Sequence, residues 1–62
     1  MKQNFRSNKY NIGDIVQHKI DKDVGYIEEV NTEGGYVLVF WFDKMLIKYS
    51  SQFANSLLEK IG

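Results

Sequence analysis

The stretch Gly35–Phe42, GYVLVFWF, carries no charge and no helix-breaking residue after its first glycine. Read as a β-strand, its side chains alternate between two faces. Tyr36, Leu38, Phe40 and Phe42 share one face; Val37, Val39 and Trp41 share the other. Both faces are apolar. A chain of 62 residues can cover one of them with its own core, so what covers the second bears on function.

Upstream, Asn31-Thr32-Glu33-Gly34-Gly35 puts Asn and two glycines between two apolar runs, a hairpin signal. The run before it, VGYIEEVN over 24–31, has strand composition, but its alternation slips: Val24 and Tyr26 are in phase with Val30, and Ile27 is not. A bulge near Glu28-Glu29, or strong coiling at Gly25, reconciles the two phases. Further upstream, Asn11–Asp14 reads as a turn and IVQHKI, 15–20, as a short first strand, followed by a polar loop at 21–23. Downstream, Asp43-Lys44 is a tight break before MLIKY, 45–49, with Met45, Ile47 and Tyr49 on one face. Ser50-Ser51 caps one helical turn through Gln52-Phe53-Ala54. SLLEKI, 56–61, then closes as a last strand, with a continued helix as the alternative. These elements predict an all-β fold: a small, five-stranded, strongly bent antiparallel barrel with one short helical turn before the last strand. Val16, Ile27, Leu38, Phe40 and Ile47 are its expected core. The Val37/Val39/Trp41 face is then expected to be covered by the N-terminal segment, through Phe5 and Tyr10, or by a neighbouring subunit. The predicted subunit interface is Trp41, Val39, Val37 and Leu57.

Length implies one domain spanning 1–62, near the lower limit for independent folding, with a core that rarely supplies more than roughly 3–5 kcal/mol. Cysteine is absent, so neither a disulfide nor a thiolate metal site can act as a staple, and oligomerisation is the remaining common remedy. Lys plus Arg and Asp plus Glu are both eight, which gives no global sign of a polyanionic partner. The distribution is uneven: residues 1–13 hold Lys2, Arg6 and Lys9 without an acid, a +3 segment that is either a solvated tail or an arm touching phosphate. No apolar run approaches a membrane span and no secretory pattern is present, so a cytoplasmic location is expected.

No nucleophile–base set exists, and Glu28-Glu29 point to opposite strand faces, so no enzyme, metal site or cofactor is expected. His18, alternating with Val16 and Ile20, reads as a packed rim residue. The informative class is the aromatics, nine in all. Those beyond what a small core holds either cap its ends, stack bases next to Lys44 and Lys48, or line a subunit interface.

The segments GDIVQHK, VGYIEEV, GYVLVFWFD and LIKYSSQFANSLLEKI resemble the Tudor-like and KOW-like SH3 barrels of bacterial transcription and repair proteins. The cadence YNIGDIV…VLVFWFDK…IKYS is also similar to small stand-alone Sm-like and SH3-like proteins of marine cyanophage and ocean metagenomes. The second resemblance implies a homo-oligomeric ring, formed by pairing the fourth strand of one subunit with the fifth of the next. It also implies binding of single-stranded RNA or DNA, in the host cytoplasm for a phage protein. Where Sm proteins carry Ile-Arg-Gly, this chain reads Ile47-Lys48-Tyr49. With Lys44, Asn31 and the basic residues Arg6 and Lys9, Lys48 and Tyr49 make up the expected nucleic-acid site. The competing expectation is an SH3-like protein-interaction module docking on a host or phage protein.

Overall fold

The computed structural model describes residues 9–62. Phe5 and Arg6 therefore lie outside the described residues. The elements run β1 (Ile15–His18), β2 (Val24–Asn31), β3 (Tyr36–Trp41), β4 (Met45–Ser50), α1 (Ser51–Leu57) and β5 (Leu58–Lys60). The strands make one antiparallel sheet in the order β4-β3-β2-β1-β5. Its edge strands, β4 and β5, are not paired, so the sheet is open where a closed barrel was expected. β5 is only three residues long, and α1, packed against β3, β4 and β5, lies between the two edges in the chain.

The helix is longer than the single turn expected, and it shortens the last strand from 56–61 to 58–60. Ser50 starts it: its hydroxyl accepts from the Phe53 amide at 3.1 Å, satisfying one of the amides that a helix start leaves unpaired. Leu58 ends it by returning to extended backbone while its N–H still reaches the Ala54 carbonyl.

The β2–β3 hairpin sets the interior. Its turn is held by the Asn31 side chain, which accepts from the Gly34 amide, and Gly35 takes the left-handed conformation (φ 73°) that glycine adopts without steric cost. Asn31 pairs with Tyr36, Val30 with Val37 and Glu29 with Leu38; the register then shifts, and Ile27 faces Val39. Glu28 is the extra residue, so the bulge lies where the broken alternation placed it.

That bulge corrects the expected inside and outside of β3. Val37 and Val39 are fully buried and Trp41 is 4% exposed, in one core with Tyr10, Val16, Ile27, Ala54 and Leu58. Leu38 and Phe40, expected in the core, lie half-buried on the opposite face. Without the extra residue Ile27 would face Phe40; with it, Ile27 carries Val39 inward, because a one-residue slip exchanges the faces. Val37, Val39 and Trp41 are therefore withdrawn from any subunit interface. Leu57 is half-buried and packs against the same core.

Of the N-terminal residues expected over the Val37/Val39/Trp41 face, Tyr10 joins its core together with Val16, Ile27, Ala54 and Leu58, and Phe5 lies outside the described residues. The Tyr10 hydroxyl lies 3.1 Å from both the Ala54 and Leu58 carbonyls and donates to them, tying the start of the fold to the end of α1. Removing that donor leaves buried carbonyls less well satisfied, so Tyr10→Phe should cost about 1 kcal/mol at neutral pH in urea unfolding. Burial also pushes the Tyr10 hydroxyl above its ordinary pKa, and burial does the same at Tyr49. Both stay protonated in the folded chain to higher pH than in the unfolded one. Stability is thus unaffected below about pH 10 and falls as pH rises beyond it, and Tyr10→Phe should make that alkaline decline shallower.

Candidate functional site

With Trp41 inside, the unanswered face of the opening strand is the other one. Antiparallel pairing sets its residues in rows across β2, β3 and β4: Tyr26–Phe40–Leu46, Glu29–Leu38–Lys48 and Asn31–Tyr36–Ser50. Ile15 of β1 extends the first row, opposite Tyr26. The rings of Tyr26 and Phe40 are 5.6 Å apart, and Phe42, just past β3, lies 6.3 Å from Tyr26. Phe42 and Leu46 are each 56% exposed. Tyr26, Leu38 and Phe40 are half-buried.

Charge is divided across it. Glu28 and Glu29 lie on the β2 side and Lys48 on the β4 side, with Leu38 between Glu29 and Lys48. Tyr36 joins the two sides. Its hydroxyl donates to the Glu29 carboxylate at 3.3 Å and accepts from the Asn31 amide nitrogen at 3.3 Å, while Lys48 Nζ stands 4.9 Å from the ring centroid. Desolvation first, and then the Glu28 carboxylate, hold the Tyr26 hydroxyl above its usual pKa.

The expected nucleic-acid residues do not form one set. Asn31 and Lys48 meet through Tyr36. Tyr49 lies on the inner face, opposite Val37, where it packs edge-on to Trp41 with ring centroids 6.2 Å apart; it is not exposed for stacking beside Lys48. Adjacent strand residues point to opposite faces, and that separates them. Lys44 occupies the β3–β4 turn in the left-handed region (φ 79°), donating its amide to the Trp41 carbonyl at 2.8 Å. Lys9 sits 5.8 Å from the Tyr10 ring, away from these three rows. Arg6 lies outside the described residues.

His18 is a structural residue at the end of β1. Its Nδ1 accepts from the Ile20 and Asp21 amides, both at 3.2 Å, and its ring lies 6.1 Å from Trp41. Among the described residues no three His, Cys, Asp or Glu side chains gather as metal ligands, and no helix is long and apolar enough to cross a membrane.

The sequence reading missed Tyr26, Glu29, Phe42 and Leu46 as members of a surface. The signal that finds them is the hairpin register: once Glu28 is the extra residue, the partners of Leu38 and Phe40 follow. Comparison with family models, curated proteins and solved structures gave no match.

Proposed function

We propose that the chain is a non-enzymatic protein-interaction module of SH3-like build, and that it docks through the outer face of β2, β3 and β4. The observation that carries this reading is the row Tyr26–Phe40–Leu46, half-buried at Tyr26 and Phe40 and exposed at Leu46, with the exposed Phe42 beside it and charges of both signs at its rim. An aromatic and aliphatic centre with a polar rim is the composition of a protein contact surface, and a continuous exposed apolar patch marks such sites.

The Lys48–Tyr36 contact, on the same face as the Tyr26, Phe40 and Phe42 rings, favours a second reading, base stacking on single-stranded RNA or DNA. Two observations weigh against it. Glu28 and Glu29 border the same face, where a phosphate backbone would be repelled. The whole chain balances eight cations against eight acids, a net charge of zero, without the basic excess that nucleic-acid-binding domains carry.

Two assays separate these readings. Labelled oligonucleotides titrated at low and high salt should give no salt-dependent anisotropy change, because counterion release makes nucleic-acid binding fall steeply with salt. Immobilised wild type should retain protein partners, free copies of the same chain included, that a folded Phe42→Asp variant does not. Salt-sensitive oligonucleotide binding that Phe42→Asp removes would replace docking with base stacking.

A further inference from the structure

The three rows have a property that the docking reading does not require. Consider a two-fold axis lying in the plane of the outer face and running along β3. Rotation about it lays a second copy face to face, with β2 of one chain over β4 of the other and the two β3 strands over each other. Residues of one row meet residues of the same row. Glu29 then faces Lys48 of the partner copy, and Lys48 faces the partner copy's Glu29. Tyr26 meets the partner copy's Leu46, Phe40 meets Phe40, and Leu38 meets Leu38. Asn31 meets the partner copy's Ser50. Each position meets its own kind: opposite charge on charge, apolar on apolar, polar on polar.

We propose that the occupant of the outer face is a second copy of this chain, in a two-fold dimer locked by two Glu29–Lys48 pairs across the interface. The proposal rests on the docking reading and adds the identity of the partner. Isologous contacts require a self-complementary patch, and two sheets pack face to face about 10 Å apart with strands aligned to within about 30°. The division of charge supplies the complementarity: acids on the β2 side and Lys48 on the β4 side are what a two-fold axis along β3 needs. An axis perpendicular to the strands would keep β2 over β2 and set Glu29 on the acidic side of its mate. The charge pattern thus selects the orientation. Tyr36, already held by Glu29 and Lys48 within one chain, fixes both side chains beside the interface before association. This arrangement uses a face of the sheet and leaves the β4 and β5 edges free, unlike a ring built by edge pairing.

Sedimentation of the full chain from micromolar to millimolar concentration tests it. Wild type should move from the monomer to twice its mass. Glu29→Lys and Lys48→Glu, each checked for folding by circular dichroism, set like charges against each other at both crossings and should weaken dimerisation roughly tenfold or more. Mixing the two variants in equal amounts should restore the dimer as a heterodimer, because each of its two crossings again pairs one lysine with one glutamate. A contact confined within one chain cannot be restored by mixing. Three results would overturn the proposal: a wild type that stays monomeric, an equal mixture as weak as either variant alone, or a ring-sized species unaffected by both substitutions. In the first case the docking reading still stands or falls by the retention comparison with Phe42→Asp, which is not limited to self-association.

Discussion

Trp41→Ala should leave most of the chain unfolded at 25 °C. Trp41 closes the inner face of β3, with the Tyr49 ring edge-on to it and His18 beside it. Truncating a buried Trp to Ala costs about 3–5 kcal/mol through lost transfer energy and the cavity left behind. A core of this size rarely supplies more than roughly 3–5 kcal/mol, so one substitution removes essentially all of it. Phe40→Ala, at the adjacent position, should cost only about 1 kcal/mol. Its ring lies on the outer face and packs mainly against Tyr26, a contact of the kind made by cross-strand aromatic pairs. Urea unfolding of the two variants side by side is the check. A folded Trp41→Ala protein beside an unfolded Phe40→Ala one would reverse the inside and outside of β3.

Gly25→Ala is expected to be the second most damaging change. Gly25 is buried and pairs with Trp41 across β2 and β3. A Cβ there would lie 2.6 Å from the Phe40 carbonyl oxygen and 2.9 Å from Trp41 Cα and from the Trp41 ring. The first two are backbone atoms and cannot rotate away, so the strands must part locally. Overpacking of this kind costs about 1–3 kcal/mol. For a domain of this size each kcal/mol lowers the melting temperature by roughly 4–8 °C. Shrinking the ring with Trp41→Phe should not rescue Gly25→Ala, because the backbone contacts persist. A full rescue would show that the side chain alone sets the requirement for glycine.

Much of the sheet was legible in local patterns. The NTEGG turn, the break at Asp43-Lys44, the cap at Ser50 and the slipped alternation of 24–31 each named a feature that the structure has. The two sides of β3 were not legible from that strand alone, since both are apolar and periodicity assigns residues to faces without saying which face is buried. The deciding information is one residue on another strand. Glu28, by dropping out of the ladder, sets Ile27 opposite Val39 rather than Phe40. Barrel closure was likewise beyond local reading, because it depends on whether β4 and β5 meet, and α1 takes up residues that were assigned to the last strand. The candidate site inherits both effects. Lys48 was found because its charge stands out beside aromatics, and Tyr49 was wrongly joined to it because neighbours in sequence face opposite ways on a strand. Glu29 and Tyr26 became visible as site residues only through the register.

That a second copy of this chain seats on the outer face of β2, β3 and β4 is tested most directly by backbone amide NMR spectra recorded on serial dilution. Concentration-dependent shifts are expected at Tyr26, Glu29, Leu38, Phe40, Leu46 and Lys48, with Val16, Ile27 and Leu58 unmoved. Spectra identical at every concentration, or shifts confined to the β4 and β5 edges, would contradict it.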